Sequence, residues 1–168
     1  NNPIIRQLTL ELSSRRSVMP RLIFKLKNKE ITKDQYEISF KSFTWWIKEI
    51  LEKVDQFRKE KSLVSSNTSS IPIKLLSEGR SESFKSHFCG THFFNPARYL
   101  RLLEIIPTEN TLPEVAKFFM DFGKITLGKQ TVLCKDTPAF IGNRIGVISG
   151  TEITLLKEKY KFKIEEID

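Results

Sequence analysis

Apolar positions along this chain follow two alternating rhythms. From Trp45, in WWIKEILEKVDQFRKE, the residues Trp46, Ile47, Ile50, Leu51, Val54 and Phe57 recur at helical spacing with charges opposite, which predicts an amphipathic helix. SLVSS then reads as a short buried strand, NTSS as its polar turn, and IPIKLLSEG as a small helix ended by Gly79. Further on, HFCGTHFF and residues 102–106 and 130–134 are apolar runs of strand length. Between the last two, TLPEVAKFFMDFGK predicts a helix with Val115, Phe118, Phe119 and Phe122 on one side. Residues 139–160 predict a longer amphipathic helix carrying Ile141, Ile145, Ile148, Ile153, Leu155 and Leu156, with Pro138 suited to its first turn. Before Trp45 the pattern is mixed: residues 22–26 have the composition of a short strand, and KEITKDQYEISFKSF fits helix and strand equally. No internal repeat or low-complexity segment interrupts the chain. Strands alternating with helices predict a layered α/β sheet whose ligands collect beyond the carboxyl ends of the strands.

Composition narrows this picture. The 168 residues are 39% hydrophobic and 29% charged, which excludes a disordered tail or a collagen-like rod. Only seven glycines occur and none lies in the first 78 residues, so no glycine-rich loop for a pyrophosphate stands before Gly79. The net charge of +8 is front-loaded, with 14 Lys and Arg against 8 Asp and Glu in residues 1–62. Such a surplus is usually solvated surface, and no interleaving of aromatic and basic residues typical of a nucleic-acid reader accompanies it, so no nucleic acid is expected as a partner. Cys89 and Cys134 have no CxxC spacing; neither a disulfide framework nor a metal site is suggested, and a reducing, cytoplasmic setting is expected. No apolar run reaches the length of a membrane span, and the opening NNPIIRQLTLELSSRRS lacks the order of a signal peptide. An initial Asn in place of Met reads as the start of a fragment.

Histidine is scarce. Of His87 and His92, the second closes an apolar strand and opens HFFNP, in which Asn95-Pro96 signals a reversal of the chain. Glu104 follows twelve positions later inside an apolar run, where a carboxylate needs a partner. If the Asn-Pro turn folds the second strand back beside the first, the two side chains meet. A carboxylate on one imidazole nitrogen fixes the tautomer and leaves the other nitrogen to accept a proton, which is a general-base dyad. On spacing alone, a satisfied structural histidine is the better account of His92.

Three ordered motifs go further. SNTSS (66–70), FCGTHFFNPARYLRLLEIIP (88–107) and LGKQTVLCKDTPAFIGNR (127–144) resemble the 3-hydroxyacyl-CoA dehydrogenase family, and the resemblance runs from Trp45 to the end of the chain. It implies NAD-dependent oxidation of the 3-hydroxyl of an acyl-CoA to a ketone in fatty-acid β-oxidation, with acyl-CoA as substrate partner, by a family whose members are often dimeric. It also implies a Rossmann-like NAD-binding domain followed by an all-helical domain. Within it, His92 matches the histidine that takes the hydroxyl proton and Glu104 the glutamate that orients it. Ser69 matches a serine touching the substrate oxygen and the nicotinamide end of the cofactor, Asn95 an asparagine touching the cofactor, and Asn143 one that hydrogen-bonds the reacting oxygen. Each has a plainer reading as well: Ser69 as a helix cap, Asn95 as a turn residue, Asn143 as a solvated polar position.

The family's opening strand, GxGxxG turn and ribose-binding acidic residue have no counterpart in residues 1–44. The fold expected is therefore an incomplete Rossmann-like domain. Residues 1–44 are unassigned, 45–136 form the later strands and helices of the NAD-binding domain, and 137–168 start the helical domain. NAD is the implied cofactor, with binding impaired by the missing turn. The alternative to a dehydrogenase domain is a truncated, inactive relative that keeps the fold without binding the cofactor.

Overall fold

A computed structural model describes residues 29, 32–69 and 71–166. In chain order they form α1 (Lys33–Phe57), β1 (Val64–Ser66), α2 (Ile73–Ser77), α3 (Glu82–Ser86), β2 (Phe88–Phe93), β3 (Leu102–Pro107) and α4 (Pro113–Asp121). A π-helical turn (Phe122–Thr126), β4 (Gln130–Leu133), α5 (Gly142–Tyr160) and a 3-10 turn (Ile164–Glu166) follow. The strand expected at 22–26 lies outside the described residues. Two compact units divide the described chain: residues 32–62 with Leu76–Phe84, and Leu63–Leu75 with 85–166.

In the first unit, α1 begins at Lys33, well before the Trp45 expected, because Thr32 and Gln35 form a capping box. The Thr32 hydroxyl accepts from the Gln35 amide at 3.2 Å while the Gln35 side chain accepts from the Thr32 amide at 2.9 Å. The segment equally suited to helix and strand is therefore helical. Thr44, Ile47, Ile50 and Leu51 are buried along it, Trp46 and Val54 are half-buried, and Phe57, expected on the buried face, is exposed at the last turn. Beyond α1, Arg58 lies over the Phe84 ring at 5.6 Å and reaches Asp55 and the Ser83 hydroxyl. Burial alone would raise the Asp55 carboxyl, but the Ser81 amide and hydroxyl and the Arg58 guanidinium outweigh it and hold the group below its ordinary value.

The second unit is a four-stranded sheet in the order β1-β2-β3-β4, with β1 parallel to β2, β2 antiparallel to β3, and β3 parallel to β4. This is the layered α/β arrangement expected. The reversal at Asn95-Pro96, a cis peptide, folds β3 back on β2 in the register His92 opposite Glu104. Cys89, Leu103 and Ile105 form the core of one face, with Phe93, Phe119 and Met120 packed against it. On the other face Ile73 of α2 lies so close to Gly90 that a Cβ there would stand 2.8 Å from its side chain.

Three expectations change in this unit. β1 is half-buried, with Ser65 exposed, because it lies at the edge of the sheet. On α4 the buried residues are Val115 and Ala116, while Phe118 and Phe122 point outward and stack on each other at 5.9 Å. α5 starts at Gly142, so Pro138 precedes it in a turn where Ala139 and Phe140 take positive φ, and no described residue of α5 is buried.

Candidate active site

Strand pairing brings the first two candidates together. His92 is the penultimate residue of β2, Glu104 lies directly across on β3, and His92 Nδ1 meets Glu104 Oε2 at 2.7 Å. Glu104 is 0% exposed and His92 3%, so the pair is out of water. A buried carboxylate demands donors, and Glu104 has two more: its Oε1 accepts from the backbone amides of Ile141 at 3.0 Å and Gly142 at 2.7 Å. Those amides face the carboxylate because the chain passes through left-handed conformations at Ala139 (φ 64°) and Phe140 (φ 48°) just before them. Gly142 also leaves room for Phe94, whose ring would stand 2.5 Å from a Cβ at that position.

The hydrogen-bond inventory sets the tautomer. A carboxylate only accepts, so Nδ1 carries a ring proton, and in the neutral imidazole Nε2 keeps its lone pair. Nε2 lies 2.9 Å from Ser69 Oγ, whose hydroxyl donates to it in that tautomer. Phe94 and Phe140 flank the ring, with centroids at 4.6 and 5.5 Å. The result is a line from Ser69 through His92 to Glu104, buried at the carboxylate end and exposed at the serine end.

Ser69 is not a helix cap, for that work is done by others. Thr68 Oγ1 accepts from the Ile71 amide at 3.1 Å, and the Asp136 carboxylate accepts from Ile73 at 2.9 Å and Lys74 at 2.7 Å. Asn67 Oδ1 in turn accepts from the Phe93 amide at 2.9 Å, joining the loop after β1 to the end of β2. Asn143 follows Gly142 at the start of α5 and is half-buried; Asn95 is exposed three residues beyond His92. Neither amide side chain has a hydrogen-bond partner among the described residues, so the structure unites Ser69, His92 and Glu104 and leaves the two asparagines at its margin. Asn67, Asp136, Phe94, Phe140 and the amides of Ile141 and Gly142 escaped the sequence reading. The DTP turn around Asp136 precedes α5 and gave no sign that its carboxylate accepts from α2.

Other chemistry is absent among the described residues. Burial, reinforced by the Glu104 carboxylate nearby, pushes the Cys134 thiol up to about 12, and burial does the same to Cys89. Both stay protonated near neutrality and are poor nucleophiles. Among the described residues no cluster of three or more His, Cys, Asp and Glu could hold a metal, and no helix is long and apolar enough to cross a membrane.

Comparison with known proteins agrees with the motifs. Residues 46–137 match the family profile described as 3-hydroxyacyl-CoA dehydrogenase, NAD binding domain. A Bacillus subtilis protein named Probable 3-hydroxyacyl-CoA dehydrogenase is 52% identical over 122 residues, which make up 72% of this chain and 15% of that protein. The mitochondrial hydroxyacyl-coenzyme A dehydrogenase of Sus scrofa is 38% identical over 120 residues, 71% of this chain and 37% of that one. The chain thus spans well under half the length of these two relatives. Among solved structures, the (S)-3-hydroxybutyryl-CoA dehydrogenase of Ralstonia eutropha superposes with a TM-score of 0.67 at 25% identity, covering 96% of this chain and 62% of that protein. With a Rossmann-like α/β sheet, the three motifs and the profile all in agreement, the chain belongs to the 3-hydroxyacyl-CoA dehydrogenase family.

Proposed function

We propose that this chain carries the proton-transfer centre of an NAD-dependent 3-hydroxyacyl-CoA dehydrogenase, with His92 as general base, Glu104 as its orienting partner, and Ser69, Asn95 and Asn143 as neutral donors around the reacting oxygen and the cofactor. The observation that carries this reading is the geometry of His92, whose Nδ1 is held by Glu104 at 2.7 Å and whose Nε2 is aimed at the exposed Ser69 at 2.9 Å. A substrate hydroxyl taking the place of the Ser69 donor, or sharing it, gives its proton to Nε2, and the imidazolium that forms stays paired with Glu104. The carbonyl oxygen that develops takes hydrogen bonds from hydroxyl and amide side chains, which stabilise it without competing for the proton.

The donor set suits the reactive end of NAD. Ser69 and Asn95 are neutral and exposed just past the carboxyl ends of β1 and β2, where ligands of such sheets gather. Bound there, NAD supplies the hydride acceptor. An acyl-CoA is the substrate that the relatives' names support. On this reading residues 45–136 are the later part of the NAD-binding domain and 137–168 the start of a helical one; the two buried, unpaired thiols support a cytoplasmic setting.

Absorbance of NADH with acetoacetyl-CoA tests the proposal. Weak turnover by this chain, cut about 100-fold or more by His92→Ala, is the expected result. A second reading, a relative that keeps the centre without binding NAD, is favoured by the lack of any glycine in residues 1–78. It prevails if NADH neither binds nor is oxidised by the well-folded chain.

A further inference from the structure

One short stretch of chain holds both ends of the Ser69, His92, Glu104 line. Toward its end, the amides of Ile141 and Gly142 grip Glu104. At its start, both oxygens of Asp136 accept from consecutive amides, Ile73 and Lys74, at the first turn of α2. Those amides are 63 and 62 positions away in sequence, yet only four and five residues past Ser69. On its other side Ser69 is preceded by Asn67 and Thr68, which are tied to Phe93 and Ile71. The Ser69 loop is therefore pinned at its near end by Asn67 and at its far end by Asp136. A carboxylate bound through both oxygens fixes direction as well as distance.

We propose that Asp136 is a positioning residue that keeps Ser69 Oγ on His92 Nε2. The seven residues 136–142 then act as one strap, setting the donor at one end of the imidazole and the carboxylate at the other. The chemical meaning of this role rests on the proposed dehydrogenase centre, but the placement does not, and the two are tested apart.

The chain has only two histidines, so ring-nitrogen NMR of the full-length protein, assigned with His87→Gln, isolates His92. Ser69→Ala defines the shift of Nε2 that follows loss of its donor. Asp136→Asn, which keeps the shape but offers a single carbonyl acceptor, and Asp136→Ala are expected to move Nε2 in the same direction by more than half that amount. Where NADH turnover is measurable, kcat falls in both variants while KM for acetoacetyl-CoA holds. A simple helix cap would lower the melting temperature and leave the His92 resonances in place; that result in a folded Asp136→Asn protein overturns the proposal. Failure of both variants to fold overturns it as well, because a positioning role leaves the fold standing. A wild-type chain without turnover but with the expected Nε2 shifts would remove the dehydrogenase reading and leave the strap intact.

Discussion

At Glu104 one carboxylate answers three donors, the His92 ring and two backbone amides, with none of its surface in water. Each of its oxygens is therefore engaged. Glu104→Gln replaces one acceptor by an amide donor, so if the carbonyl stays on Ile141 and Gly142 the new NH2 faces Nδ1 and drives the ring proton to Nε2. The expected cost is about 1–3 kcal/mol in urea unfolding, with the tautomer reversed by NMR and the general base lost. An unchanged tautomer would show that Glu104 does not set it. Next to this site, Ala139 at φ 64° carries a conformation that favours glycine. Ala139→Gly is expected to stabilise the fold by roughly 0.5–1 kcal/mol, the relief of strain less the entropy that glycine adds to the unfolded chain. A lowered melting temperature would contradict that account.

At the level of elements, the register of β2 on β3 does most to build the centre, and it was legible in the sequence. The Asn95-Pro96 reversal and the twelve-residue spacing from His92 to Glu104 leave little choice of pairing once both strands are apolar. The capping box of Thr32 and Gln35 went unread, because the mixed pattern before Trp45 fits helix and strand alike. The approach of α2 to β2 was not legible either, for it depends on an absent atom. A Cβ on Gly90 would stand 2.8 Å from Ile73 Cδ1 and 3.0 Å from Ile106 Cβ; the first can rotate away and the second cannot. Gly90→Ala is expected to lower stability by about 1–3 kcal/mol, and Ile73→Val to restore part of it in the double variant. Additive losses in a double-mutant cycle would show that helix and strand do not press on each other.

For the whole molecule, acid stability is the property most open to test. Asp55 is held below its ordinary value of 3.8, so it binds protons more readily in the unfolded chain than in the folded one. Stability from this group is complete above that value and is lost as pH falls below it through the lower folded value. The urea midpoint of the natural chain should exceed that of Asp55→Asn near neutrality, and the gap should close on acidification toward about pH 2. A gap independent of pH would place the effect in packing instead of charge.

The sequence by itself determined the class of fold, the strands that carry His92 and Glu104, and the family, because periodicity and motif spacing are local properties that survive without a third dimension. Tertiary structure alone decided what completes the centre. Backbone amides carry no residue identity, so nothing in the letters marks Ile141 and Gly142 as partners of Glu104. The contact from Asp136 to the amides of Ile73 and Lys74 joins points more than sixty residues apart. Burial was decided in the same way: Phe118, Phe122 and the apolar residues of α5 have the spacing of a buried face, and only the position of their neighbours leaves them exposed.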